Sequence, residues 1–149
     1  MATDAHNRND PFNLGRFVGA QDPVYARVLA ELRNGRKTTH WMWFIFPQMD
    51  GLGSSATASH YAIKNLDEAK AYLNHPVLGT RLRECAEEVL AVEGRTASAI
   101  FGYPDDLKLK SCATLFASVS DPGSLFEHIL EMYFDGDRDS RTLDLLKKR

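Results

Sequence analysis

His40-Trp41-Met42-Trp43-Phe44-Ile45-Phe46-Pro47-Gln48 is the stretch on which the reading of this chain turns. It holds both tryptophans and two of the eight phenylalanines of a 149-residue sequence. Its length and aromatic content are compatible with a buried strand. A lone strand has no ladder partner, however, and no second segment alternates apolar and polar residues with a period of two. Residues 39–46 are therefore read as a short helix, ended by Pro47, which disfavours helical backbone in the residue before it. On such a helix His40, Trp43 and Phe44 share one face, with Pro47 a turn further on. So much aromatic surface has to be buried, and the rest of the chain must supply the walls. The polar residues at the two ends, His40 and Gln48, then fall at the rim of a pocket.

Working outward, the punctuation is helical. Asp10-Pro11, Asp22-Pro23 and Asp121-Pro122 each read as a helix start, with Asp as the cap and Pro at the first helical position. Before the aromatic run, one helix carries Phe12, Phe17 and Val18, and the next carries Val24, Val28, Leu29 and Leu32 with Gly35 as its stop. After it, Ser54 or Ser55 caps a helix with Ala58, Tyr61 and Ala62. Asn65 or Asp67 opens another that runs to Asn74. Leu78, Leu82, Cys85, Val89 and Val92 then form a stripe at helical spacing, ended by Gly94. A short turn over 97–101 closes at Gly102. The helix after Pro104 buries Leu109, Cys112, Ala113 and Phe116. A further helix carries Phe126, Ile129, Leu130 and Tyr133 and stops at Gly136, and a last one follows Asp139. The expectation is an all-α, compact single-domain bundle of about six to eight short helices over 10–149, preceded by a flexible polar tail over 1–9.

Composition narrows the partners. Eighteen basic and 20 acidic residues give a net charge of −2, which leaves no electrostatic footprint for nucleic acid or an anionic membrane. No run approaches the ~20 apolar residues of a membrane span. Residues 1–10 are too polar for a signal peptide. A cytoplasmic monomer without a cofactor is expected. Cys85 and Cys112 sit in apolar helical stripes and read as small core residues rather than a disulfide or a metal pair.

No zinc, Walker, Rossmann or serine-hydrolase fingerprint is present, and no metal site is expected. In Gly51-Leu52-Gly53-Ser54-Ser55 two glycines let backbone N–H groups approach an anion; a plain loop with a serine cap explains the stretch as well. Arg33, Arg36 and Lys37 read either as cations at a helix C-terminus or as an anion-binding rim. Asp106, Lys110 and Thr114 are four apart, with Lys108 and Ser111 nearby. They read as an acid/base or phosphate-contacting face, or as a solvated face with an i,i+4 ion pair. His40 is a base, a ligand contact or a residue hydrogen-bonded in place. His60, His75 and His128 are not at metal-ligand spacing and read as surface or capping residues. Residues 135–139 (DGDRD) lack the full order of a calcium loop and read as a helix–helix turn.

The segments DPFNL (10–14), HWMWFIFPQ (40–48), GLGS (51–54), HPVL (75–78), IFG (100–102), DLK (106–108) and TLF (114–116) together resemble the domain-of-unknown-function family 1810, over nearly the whole chain. The resemblance implies a small all-α domain with no established activity. Some members carry the label calpastatin, but nothing here looks like a disordered protease-inhibitor repeat. The chain departs from the family pattern at Ala113, where the resemblance implies a methionine, and at Thr39, where it implies a serine.

Two functions compete. The first is a ligand site between the aromatic run, the 51–55 loop and the polar face of the 108–114 segment. It is formed by His40, Trp41, Trp43, Gln48, Gly51, Gly53, Ser54, Lys108 and Ser111. An aromatic floor with an anion-friendly rim suits a nucleotide or a phosphorylated small molecule. If the site is catalytic, hydrolysis or group transfer is the reaction class, and no catalytic residue is assigned. The second is a non-catalytic interaction module, in which the aromatic run is only core.

Overall fold

The computed structural model describes residues 10–148; the expected flexible tail over 1–9 lies outside them. Among the described residues the chain folds into ten helices: α1 (Gly15–Gln21), α2 (Tyr25–Arg33), α3 (Met42–Ile45), α4 (Ala56–His60), α5 (Leu66–Asn74), α6 (Leu78–Ala91), α7 (Ala97–Phe101), α8 (Asp105–Ala117), α9 (Leu125–Phe134) and α10 (Ser140–Lys147). The fold is all-helical. Extended pairing among these residues is confined to one isolated parallel bridge, Met49 with Ile63. The helices outnumber the six to eight read from sequence because α3, α4 and α7 are single turns.

The three Asp-Pro pairs do not start helices directly. Each builds the turn before one, because proline fixes the first corner of a turn as readily as it fixes a helix start. α1 begins at Gly15, and the Asp10 carboxylate reaches forward to accept from the N–H groups of Leu14 and Gly15 at 2.6 and 2.8 Å. Asp22 ends α1 and pairs with Arg81 at 2.9 Å. Ser124, not Asp121, caps α9. Elsewhere the capping atoms come from Ser55, Asn65, Thr96 and Asp139. α2 closes through Gly35 at φ +70°, with its N–H on the Leu32 carbonyl and the Arg36 N–H on that of Glu31, the bond pair of a glycine-terminated helix.

α8 is the central element. It packs against α5, α7, α9 and α10, and every residue from Ser111 to Ala117 is buried. A helix enclosed this way carries little amphipathic contrast. Opposite it, Leu78, Leu82, Cys85 and Val89 line the buried face of α6; Val92, just past the helix end, is half-buried. Cys85 and Cys112 are both buried and unbridged. α5 and α6 approach so closely that a Cβ on Gly79 would lie 2.0 Å from the Leu73 carbonyl oxygen.

The aromatic run is anchored from α2. Within 39–46 only Met42–Ile45 is helical. Trp41, just before that turn, is 1% exposed, and its indole N–H donates to Glu31 Oε1 at 3.0 Å. The same buried carboxylate accepts from the Thr38 and Thr39 N–H groups at 2.7 and 3.0 Å and from the Thr39 hydroxyl at 2.6 Å. Burial on its own raises the Glu31 pKa, but these four donors overcome it and lower the value to about 2. Trp41 also packs its ring against Phe46 and Phe101. The run leads into an extended loop held by the bridge, with the Ile63 N–H on the Gln48 carbonyl at 3.0 Å and the Asp50 N–H on that of Ile63 at 2.8 Å.

Candidate functional site

A cleft of about 580 Å³ opens where α3, the 48–55 loop, the start of α4 and the first turns of α8 and α10 meet. Trp43, on α3, forms one wall. α8 contributes Leu107, Lys108 and Ser111, with Tyr103 and Pro104 just ahead of it, and α10 contributes Arg141 beside its cap Asp139. Gln48, Gly53, Ser54 and Ser55 close the loop side. Gly53 sits there because the loop crosses α4 at close range: a Cβ on it would lie 2.6 Å from that of Ala58.

The two tryptophans, one residue apart in the run, are used differently. Trp41 is core, held by Glu31. Trp43 is half-buried, and the Lys108 ammonium lies 4.5 Å from its ring centre, within cation–π range. No protein group among the described residues accepts from the Trp43 indole N–H. The Gln48 amide and the Ser54 and Tyr103 hydroxyls on the same cleft also have no side-chain hydrogen bond among the described residues.

Lys108 is held on the ring by Asp105, at 3.2 Å. Asp105 also takes the Lys37 ammonium at 2.8 Å, and that lysine side chain is only 6% exposed. One carboxylate therefore serves two lysines, so Lys108 is positioned without being neutralised. Arg141 reaches the Gly51 carbonyl at 3.4 Å. Against these two cations the lining carries, among the described residues, one carboxylate, Asp139, which is committed to the Thr142 N–H at 2.9 Å and to the Thr142 hydroxyl at 2.5 Å. The Ser111 hydroxyl donates to the Leu107 carbonyl at 3.1 Å and lies 3.4 Å from Asp139. The cleft thus has an excess of one positive charge.

Of the residues expected from sequence, Trp43, Gln48, Gly53, Ser54, Lys108 and Ser111 line this cleft. Trp41 does not, because Glu31 draws it into the core. Gly51, at φ +105°, faces the Leu145 side chain instead. His40 lies on the next cleft, across Trp43, beside Phe44. The Asp106–Lys110 pair does not form: Lys110 bonds Asp137 at 2.8 Å, and Thr114 is fully buried, where its hydroxyl accepts from the Asp139 N–H. Arg33 pairs with Glu88 at 2.6 Å and Lys37 points inward, so the 33–37 cations form no rim here. His75 caps α6, its Nδ1 accepting from the N–H groups of Val77 and Leu78. Among the described residues no group of three or more His, Cys, Asp or Glu side chains is placed to hold a metal, and no helix is long and apolar enough to cross a membrane.

Tyr103, Leu107, Asp139 and Arg141 were not singled out as ligand contacts by sequence. In the sequence Asp139 marks only the start of the last helix. Nothing local links Arg141 to Gly51, ninety residues away. Tyr103 carried a weak signal, an aromatic side chain between Gly102 and Pro104 at a helix boundary.

The family model described as protein of unknown function (DUF1810) matches residues 11–146. The crystal structure of the conserved hypothetical protein Rv1873 from Mycobacterium tuberculosis is similar at 55% identity and a TM-score of 0.91, over 93% of this chain and 99% of that one. No match is found among curated proteins.

Proposed function

The chain belongs to the DUF1810 family, proteins of unknown function, and for this member we propose that the cleft beside Trp43 binds an anionic small molecule with a flat ring, nucleotide-like or phosphorylated. The observation that carries this reading is Trp43 itself. Its ring lines the cleft, its N–H has no protein partner among the described residues, and a lysine is fixed at its face. Convergent unpaired polar groups around an aromatic wall are what a ligand pocket requires. The surplus positive charge sets the sign of the ligand.

Binding is proposed without catalysis. Among the described residues lining the cleft, no hydroxyl is paired with a free base: Ser111 donates to the Leu107 carbonyl, and the Asp139 oxygen it reaches at 3.4 Å is already occupied by Thr142. Hydrolysis or group transfer would need a base from the ligand or from water.

The test is a thermal-shift screen of nucleotides and sugar phosphates on the native protein and on Lys108→Ala. The variant stays folded, because Lys37 still answers the Asp105 charge. A phosphate-bearing ligand raises the native melting temperature, and Lys108→Ala weakens that ligand by about 1.5–3 kcal/mol, the worth of a charge-assisted hydrogen bond. If no compound shifts the native protein, or both proteins respond alike, the reading fails.

A second reading has its own observation. Tyr103 is 81% and Leu107 49% exposed on the same rim, and an aromatic–aliphatic pair of this kind suits a protein partner. In that case Tyr103→Ser and Leu107→Ser abolish complex formation and leave every small-molecule response unchanged.

A further inference from the structure

Trp43 also walls a second cleft, of about 470 Å³, on its other side. Its remaining walls are His40, Phe44 and Tyr61, with Thr57 and His60 at the edge. The two clefts differ in chemistry. The first carries Lys108, Arg141 and Asp139; among the described residues no Lys, Arg, Asp or Glu lines the second. Three of its rings touch one another: Phe44 and Tyr61 are 5.4 Å apart between centroids and tilted by 53°, and His60 meets Tyr61 edge-on at 4.6 Å. At its mouth His40 is exposed, and its imidazole has no hydrogen bond or ring contact with any described residue.

We infer that the second cleft is the seat of the uncharged, flat end of the ligand, a nucleobase or a heterocycle of that kind, while its phosphate lies against Lys108 and Arg141. The inference rests on the reading of the first cleft as an anion site. A nucleobase is planar, uncharged at neutral pH and lined with donors and acceptors at its edge. An aromatic wall of the cleft meets its face, and the His40 imidazole and the Thr57 hydroxyl meet its edge. Base–aromatic stacking needs no particular base, because every base has a π-face. Trp43 lines both clefts and so is placed to touch both ends of such a molecule. A purely apolar occupant would leave His40 and Thr57 without purpose, and a purely anionic one would find no cation here.

The experiment is isothermal titration of the protein with the four ribonucleosides, their 5′-diphosphates and inorganic phosphate, repeated on His40→Ala and Lys108→Ala. Both replaced side chains lie outside the core, so both variants remain folded, which circular dichroism checks. Nucleoside affinity is expected to fall about tenfold in His40→Ala, as the loss of one hydrogen bond and ring contact dictates, and to hold in Lys108→Ala. Phosphate affinity shows the opposite pattern, and the diphosphates respond to both changes. Diphosphates that bind, respond to Lys108→Ala and ignore His40→Ala overturn the second cleft while the first stands. Nucleosides that do not bind, with diphosphates no tighter than phosphate, do the same. If none of the probes binds the native protein, both readings fall together.

Discussion

Glu31 and Trp41 are joined across ten residues by a 3.0 Å hydrogen bond that ties the start of the aromatic run to the last turns of α2. Around that bond Glu31 collects three more donors from Thr38 and Thr39. The staple fixes which of the two tryptophans faces inward, and so which one faces the cleft.

Stability should fall on the acid side as Glu31 protonates. The folded value is lowered from 4.5 to about 2, so the folded state binds the proton less readily than the unfolded chain. The contribution is complete above the unfolded value, declines as the pH drops from there, and is gone below about 2. Glu31→Gln removes it and costs on the order of 2–4 kcal/mol at neutral pH. Urea titrations at a series of pH values should show the acid limb flattened in the variant.

The two tryptophans should respond oppositely to the same substitution. Trp41→Phe leaves a buried Glu31 oxygen one donor short and opens space in the core, for a loss of about 2–4 kcal/mol. Trp43→Phe disturbs no hydrogen bond among the described residues and should change stability by less than about 1 kcal/mol. Equal losses in chemical denaturation would mean that Trp43 is as structural as Trp41.

Leu82 lies at 1% exposure on the buried face of α6. Leu82→Ala should cost about 2–5 kcal/mol. A change under about half a kcal/mol would place that stripe at the surface.

Neither thiol should react in the folded protein. Burial pushes the Cys85 thiol up to about 12 and that of Cys112 well above the ordinary range, so the thiolate that attacks a disulfide reagent is scarce, and access is blocked as well. A chromogenic disulfide reagent should titrate no thiol at neutral pH and two in denaturant. Fast modification of either under native conditions would contradict the packing.

Much of the fold was legible because the deciding signals are local. The α6 stripe repeats with the helix period, and Gly35, Gly94, Gly102 and Gly136 all adopt positive φ where a helix stop was expected. The Asp-Pro pairs misled because a turn and a helix start ask for the same two residues. The candidate site was legible in part. Trp43, Gln48 and Lys108 could be named from residue type, and the shared helix face of His40, Trp43 and Phe44 does reappear as shared walls of one cleft. What the sequence did not carry is the partition between the two clefts. It is set by Glu31 pulling on Trp41 and by Asp105 holding Lys108, and both attachments come from outside the run.

The unequal treatment of the indoles also equips the protein with its own optical reporter. Only two fluorophores of this kind exist in the chain. Trp41, sealed in the core, emits at short wavelength whatever the solvent contains. Trp43, half open to water beside an ammonium group, supplies the red-shifted part of the spectrum and meets quenchers such as iodide. Any molecule that settles on either side of Trp43 changes that component alone, so occupancy can be followed on the unlabelled protein, with the buried indole as an internal standard.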